Sequence, residues 1–324
     1  MEFTREDELL RDNDPEEPYH RRKDEEKTSI SWGQRKLLMT LISFLSKHVK
    51  GFEDTKDGVT HKPVVIVYAG AAPSVNIGIA ATLFSNISWH LYDPAPFKIK
   101  TDVNKKIIVY QKKFTDEIAS YWRDIQEKDG NVYFISDIRT ADYTKTKNLE
   151  DNEKQIMEDM ELQKKWVEII KPCKCQLKFR LPYTLPNFPV EIEYFDGIIY
   201  KQPYSPQMST ETRLVLTSPD LTYKKYSCEK YQSQLFYHNI VIREKNKYIN
   251  SFLDEPELLD DYDSCCEVSI WKDYLNYMGK EITKDNVVAL SRKATKLLTK
   301  GRKYRDTLSY LRSNPRAIKK RNFE

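Results

Sequence analysis

The sequence predicts an α/β fold: one doubly wound, mostly parallel sheet with a closing antiparallel unit. Three observations predict it. Apolar, β-branched runs such as Val64-Val65-Ile66-Val67-Tyr68 recur without internal polar residues, the mark of strands buried on both faces. Segments of helical periodicity separate them, which gives a β-α alternation. After about residue 190 the alternation stops, and three strand patterns follow without helices between them, so antiparallel pairing is expected there.

The elements follow in chain order. Residues 1–30 form an acidic N-terminal arm, polar and expected to be flexible. Ser31 precedes an amphipathic helix over 32–50, with Leu37, Leu38, Leu41, Ile42, Phe44 and Leu45 along one broad stripe, and Gly51 stops it. The first strand, 64–68, breaks at Ala69-Gly70-Ala71-Ala72-Pro73-Ser74, and a helix follows through Ala80 and Phe84. A second strand, 88–92, runs into Asp93, and a third, 107–110, leads to a helix over 114–125. The fourth, Val132-Tyr133-Phe134-Ile135-Ser136, is closed by Asp137. A long helix over 153–170 feeds the strand Cys175-Gln176-Leu177-Lys178-Phe179. Strands at 191–195, 197–202 and 213–218 make the closing unit, and from Tyr223 onward the chain reads as mostly helical. A main domain over 31–250 and a mostly helical extension over 251–324 with a basic tail are therefore expected. No internal repeat is visible.

Composition bounds the function. The 324 residues are 31% charged and 40% apolar, enough to bury a core beneath a heavily solvated surface. No run approaches the roughly 18 consecutive apolar residues that span a bilayer, and the acidic N-terminus does not look like a signal peptide. Cys173/Cys175 and Cys265/Cys266 stand too close for ordinary bridges, which fits a reducing compartment. No Cys/His pairs stand at finger spacing and the five histidines are scattered, so no metal is expected.

A net charge of +4 proves no nucleic-acid binding, but its distribution is uneven. Residues 1–26 hold eleven acids against five bases, and residues 291–324 hold twelve Lys/Arg against two acids, ending in Arg316-Ala317-Ile318-Lys319-Lys320-Arg321. Such blocks are ordinarily solvated faces. The functional reading of the tail is an electrostatic arm for RNA, or for a partner protein that holds RNA.

Two constellations carry chemistry. The first is the small-residue turn at 69–74, where backbone can approach a ligand closely. It lacks the Gly-Lys-Ser/Thr of a phosphate loop, and its one glycine falls short of a dinucleotide fingerprint. Asp93, about 20 residues on, stands where a carboxylate accepts both hydroxyls of an adenosine ribose. An ordinary tight turn is the plain alternative. A nicotinamide cofactor and S-adenosylmethionine both suit the pattern, and the missing glycines disfavour the dinucleotide.

The second constellation is a set of charges in apolar company: Lys36 in Gln34-Arg35-Lys36-Leu37-Leu38, Asp137, Lys178, and Glu211 just before Arg213-Leu214-Val215-Leu216. A lone lysine of this kind is ordinarily an outward-pointing side chain. Two lysines and two carboxylates in one cleft are different. Each neutralises another, and a second lysine together with a bound cation pushes one amine toward its neutral form. Transfer of a methyl group to a ribose 2′-hydroxyl calls for such a base, because the hydroxyl is a very weak acid. Lys178 is the candidate base, Lys36 and Asp137 orient the hydroxyl, and Glu211 holds Lys178.

At these residues the chain resembles the poxvirus-type cap-specific mRNA (nucleoside-2′-O-)-methyltransferases, which also serve as regulatory (processivity) subunits of a viral poly(A) polymerase. The similar segments are Gly33-Gln34-Arg35-Lys36-Leu37-Leu38, Val67-Tyr68-Ala69-Gly70-Ala71-Ala72-Pro73, Ile135-Ser136-Asp137-Ile138-Arg139, Leu177-Lys178-Phe179-Arg180-Leu181-Pro182, and Gln202-Pro203-Tyr204-Ser205-Pro206 through Glu211-Thr212-Arg213-Leu214. They span about residues 33–245 in collinear order. The resemblance implies a Rossmann-like, S-adenosylmethionine-dependent methyltransferase acting on the first transcribed nucleotide of capped mRNA, from a large DNA virus. The virion and the host cytoplasm are the implied locations, and a poly(A) polymerase catalytic subunit is an implied partner.

The resemblance also assigns residues. Gln34, Tyr68, Gly70, Asp93, Thr115 and Asp137 line the cofactor site, with Ser74 where the family has a second glycine and Ala95 where it has an arginine. Tyr183 matches one of the two rings that sandwich the methylated guanine, with Tyr19 as the second. Leu185 and Gln232 stand near the places of the family's acidic partners for the guanine edge, with Glu229 close by. Arg139 and Arg213 are the expected contacts to the RNA backbone. The other readings are a binding subunit that stimulates a poly(A) polymerase with weak or no methyl transfer, and an α/β enzyme of another cofactor.

Overall fold

The computed structural model describes residues 1–20, 22, 29, 31–49, 64–99, 106–140, 148–249 and 260–299. The expected stop at Gly51 and the basic run at 316–321 lie outside the described residues. The chain divides into two units: Met1–Lys47, Lys201–Glu211 and Ser233–Glu324 form the first, and His48–Tyr200 with Thr212–Gln232 form the second.

The first unit opens with a short strand, β1 (Leu9–Leu10), and the helix α1 (Gly33–His48). α1 buries Leu38, Leu41, Ile42, Phe44 and Leu45 from the expected stripe, while Leu37 is only half-buried. The second unit then alternates: β2 (Val64–Ala69), α2 (Val75–Leu83), β3 (Ile87–Tyr92), β4 (Ile107–Tyr110), α3 (Asp116–Asp129), β5 (Val132–Ser136), α4 (Leu149–Ile170) and β6 (Cys175–Phe179). Helix ends follow local chemistry. Asn148 caps α4 by accepting from Asp151 N at 2.8 Å, and Gly130 closes α3 in the left-handed region at φ 65°.

Within the second unit the strands run in the order β8-β9-β6-β5-β2-β3-β4, where β8 is Ile198–Tyr200 and β9 is Thr212–Leu216. β2 is parallel to β3 and β5, β3 to β4, and β5 to β6. β9 runs antiparallel to both β6 and β8, which is the expected closing unit. From β2 the chain steps outward to β3, and from β5 it steps the opposite way to β6. Right-handed crossovers in opposite directions put α2 on one face and α4 on the other, so the sheet is doubly wound. The reversal falls between β2 and β5, and there the carboxyl ends of parallel strands open a crevice.

Two segments depart from the sequence reading. β7 (Glu191–Phe195) leaves the main sheet and pairs antiparallel with a strand that the helical reading passed over, β10 (Tyr223–Ser227). Its sequence, Tyr-Lys-Lys-Tyr-Ser, offers no apolar run. The pairing is set by a partner more than 25 residues away, with Tyr226 and Tyr194 turned inward. Beyond β10 the described residues form α5 (Cys228–Tyr237), a π-turn at His238–Ile242, α6 (Tyr262–Tyr277) and α7 (Lys284–Leu298). Asp261 and Thr283 cap the last two helices with their side chains.

Among the described residues no helix is long and apolar enough to cross a membrane, and no cluster of His, Cys, Asp and Glu is arranged to hold a metal ion.

Candidate functional site

At the switch point the turn after β2 packs on the end of β5. Asp137 N donates to Ala69 O at 2.9 Å, which continues the β2–β5 pairing by one residue. Gly70 has φ 79°, and a Cβ built there would lie 2.6 Å from the carbonyl carbon and oxygen of Asp137 and from Ile138 N. Only glycine lets the two backbones meet so closely. Gly70 N and Ala71 N both donate to Tyr92 O, at 2.9 and 3.2 Å, so the turn is also tied to the end of β3. Asp93 follows directly. Its Oδ2 accepts from Ala72 N at 3.0 Å and its Oδ1 from Ala95 N at 2.8 Å, so one carboxylate joins the turn to the loop beyond β3.

Ser74 holds a left-handed conformation at φ 67°, with its Oγ donating to Ala71 O at 2.7 Å. Tyr68 is buried near the end of β2, and Thr115 is exposed at the start of α3. Beneath Asp93, Tyr92 and Tyr110 stack with ring centroids 4.4 Å apart. His90 lies edge-on to Trp122, and burial pushes its imidazole down to about 4.

The charged cluster stands beside this crevice. Asp137 Oδ1 accepts from Lys178 Nζ at 3.1 Å and from Arg213 Nη2 at 2.9 Å. Lys178 on β6 and Arg213 on β9 are directly opposed in the antiparallel register. Like charges so placed destabilise a sheet, and the carboxylate between them removes the penalty. Arg213 is buried, while Lys178 and Asp137 keep 20% and 14% of their side-chain surface. Nearby, Asp159 on α4 accepts from both the backbone and the hydroxyl of Thr140, at 2.9 and 2.8 Å, and pins the segment that follows Asp137. Burial raises the Asp159 carboxyl above its ordinary value.

One expectation is corrected by these contacts. Arg213, expected on the RNA backbone, is buried against Asp137 and belongs to the charged cluster. Within the first unit, Glu211 Oε1 accepts from Lys36 Nζ at 2.6 Å, which joins two of the four expected charges.

The remaining expected residues fall as follows. In the first unit, Gln34 sits in the first turn of α1, and its buried Oε1 accepts no hydrogen bond among the described residues. Tyr19 is 57% exposed and meets Phe236 edge-on at 5.3 Å. In the second unit, Tyr183 is half-buried, with the Arg180 guanidinium 4.3 Å from its ring centroid. Glu153 receives Arg180 through two bonds of 2.9 Å and Tyr183 N through a third of 2.9 Å, which fixes that ring. Arg139 and Glu229 are exposed, and Leu185 and Gln232 half-buried. Arg180 and Glu153 were missed by sequence reading; the only signal was an arginine two residues beyond Lys178.

The donor set fits an adenosyl ligand. A carboxylate follows β3 at the carboxyl edge, beside a turn of small residues.

The family model described as poly A polymerase regulatory subunit matches residues 7–299. Two curated relatives bear the name cap-specific mRNA (nucleoside-2′-O-)-methyltransferase. The fowlpox virus (strain NVSL) protein is 26% identical over 241 residues, covering 71% of this chain and 74% of that protein. The myxoma virus (strain Lausanne) protein is 29% identical over 232 residues, covering 68% of this chain and 63% of that protein, just under two thirds of its length. Among solved structures, bluetongue virus VP4, described as a multifunctional RNA-capping production line, is similar over 75% of this chain and 39% of that one, at 14% identity and a TM-score of 0.41.

Proposed function

This chain belongs to the family of poly(A) polymerase regulatory subunits, and on that premise we propose that it is a cap-specific mRNA 2′-O-methyltransferase. It transfers a methyl group from S-adenosylmethionine to the ribose 2′-hydroxyl of the first transcribed nucleotide of capped RNA. The observation that carries this reading is the sharing of Asp137 Oδ1 by Lys178 and Arg213 at the switch point, one residue beyond the turn-packed end of β5.

Asp93 would accept the two ribose hydroxyls of the cofactor, and the 69–74 turn, with Gly70 and Ser74, would let it lie close to the backbone. Tyr68, Thr115 and Gln34 complete the binding set that the resemblance implies. When bound, the cofactor would supply an electrophilic methyl group on a sulfonium, whose S–C bond breaks as the methyl leaves and whose sulfur departs as the neutral thioether. Lys178, as the free amine, would take the proton that the ribose 2′-hydroxyl loses. Arg213 carries a permanent charge, so Asp137 stays anionic and anchored when Lys178 changes its own charge. Asp137 also orients the lysine toward the hydroxyl, and holding the reacting atoms in line supplies much of the rate. The resemblance assigns Lys36 and Glu211 to the same reaction. Tyr183 and Tyr19 are the proposed cap-stacking rings, and exposed Arg139 the proposed contact to RNA phosphate.

Family membership also favours a second role, as the RNA-binding subunit of a viral poly(A) polymerase. The two roles are compatible. Labelled S-adenosylmethionine and a short RNA with an N7-methylated cap separate them. Label in a 2′-O-methyl group on the first nucleotide, lost in Lys178→Ala, supports the enzyme. Tight binding to RNA or to the polymerase with no transfer supports the subunit alone.

A further inference from the structure

Residues 201–211, the segment of the first unit that ends at Glu211, are held along their whole length by side chains with no place in the chemistry. Gln202 Nε2 donates to Thr40 Oγ1 at 3.0 Å, and Gln207 Nε2 to Ser29 O at 2.8 Å. Arg243 Nη2 donates to Ser205 O at 3.1 Å while paired with Asp263, and Asn239 donates to Ser209 O at 3.1 Å. Ser209 Oγ in turn receives Glu211 N at 3.1 Å.

The centre of this arrangement is Tyr204. It is buried, and its backbone lies in the left-handed region at φ 58°. A bulky residue there costs about 1–2 kcal/mol, and such residues persist only where the surroundings over-determine them. The surroundings here are a sealed ion pair. Arg35 donates from Nε and Nη2 to the two oxygens of Glu267, at 2.7 and 2.5 Å, and both side chains are 0% exposed. Arg35 also reaches Thr295 and Ser291 on α7, at 2.6 and 2.9 Å. Glu267 also accepts Tyr204 OH at 2.6 Å and Trp271 Nε1 at 3.0 Å. Burial pushes the Glu267 carboxyl up, and Arg35 with the two neutral donors outweighs it, leaving the group below its ordinary value. Tyr204 O accepts from Trp32 N at 2.9 Å, Trp32 O accepts from Lys36 N at 2.8 Å, and the Arg35 guanidinium lies 4.8 Å from the Trp32 ring centroid.

A buried ion pair is a poor way to gain stability, because desolvation consumes most of the attraction. Its known use is to specify one geometry. We propose that Arg35, Glu267 and Tyr204 are positioning residues, a sealed hub that sets the register between the first turn of α1 and the 201–211 segment and so fixes the Lys36–Glu211 pair. Arg35 is the neighbour of Lys36 in sequence but points into the hub, so a shift of the hub is transmitted to Lys36 through a single peptide link. The inference rests on the methyltransferase reading for its consequence in catalysis, and on geometry alone for the pairing.

The test replaces the hub by apolar residues of similar size, Arg35→Met with Glu267→Met, in the full chain. The thermal midpoint of the double variant is expected to stay near that of the parent. Labelling of Lys36 by an amine-reactive acetylating reagent, read by mass spectrometry, is expected to rise about tenfold as the pair opens. The kcat for methyl transfer falls by about ten- to a hundredfold while KM for capped RNA holds. A folded double variant with parental Lys36 labelling overturns the proposal. Should the double variant fail to fold, Tyr204→Phe keeps the ring and loses only the bond to Glu267. Raised Lys36 labelling in that variant supports the hub, and parental labelling overturns it. Labelling needs no turnover, so a parent protein without methyl transfer would sink the functional reading and leave the hub to be judged separately.

Discussion

Asp137 in the second unit and Glu267 in the first are both carboxylates held by a buried arginine, yet they differ in what is left open. Glu267 uses both oxygens on Arg35 and fills the remaining lone pairs with Tyr204 and Trp271, with no surface exposed. Asp137 puts one oxygen on both Arg213 and Lys178, and it and the lysine reach solvent. The same two charge types thus serve two purposes. A sealed cluster can only hold a shape, whereas a half-open one leaves its amine and carboxylate open to solvent.

One substitution made in both clusters breaks or sharpens this contrast most. Arg35→Met strands a buried carboxylate and is expected to cost about 3–5 kcal/mol in urea unfolding. Lys178→Met leaves Asp137 neutralised by Arg213 and is expected to cost less than about 1 kcal/mol. Equal losses would erase the distinction. Next in size is Gly70→Ala. The left-handed backbone and the contact at 2.6 Å with Asp137 together cost about 2–4 kcal/mol, measured by the same unfolding curves. Ser74→Gly, in the same turn, relieves a left-handed serine but loses its bond to Ala71 and frees the unfolded chain, so a change within about 1 kcal/mol is expected.

A further effect is one of pH. His90 takes up its proton near 6.5 when unfolded and near 4 when folded, because burial opposes the charge. Its contribution to stability is present above pH 6.5 and is lost as pH falls through that window. His90→Gln is expected to show a shallower decline in unfolding midpoint between those values, and an unchanged slope would contradict the assignment.

The two clusters were unequally legible in the sequence. Asp137 announced itself because β5 is an uninterrupted apolar run with an acid at its end, and a parallel strand's carboxyl end is a place with a meaning. Lys178 broke a similar run. Arg35 gave no such signal: between Gln34 and Lys36 at the start of an amphipathic helix it reads as one more solvated charge, and its partner lies more than 200 residues away. Arg213 was visible as a charge but not as a partner of Asp137, since the cation it faces is decided by the cross-strand register of β6 and β9. The fold itself was legible wherever burial was two-sided, as in β2 and β5. It was lost at β10, where one polar face and a remote partner hide the strand.

The central claim is that the half-open cluster performs chemistry. The most direct measurement is the transfer of labelled methyl from S-adenosylmethionine to N7-capped RNA by the parent and by Lys178→Ala, with the nucleotide products separated. The expected result is 2′-O-methyl label on the first nucleotide with the parent and a loss of at least about a hundredfold with the variant, while its fold is retained. Equal transfer by a folded Lys178→Ala, or label at another position, would contradict it.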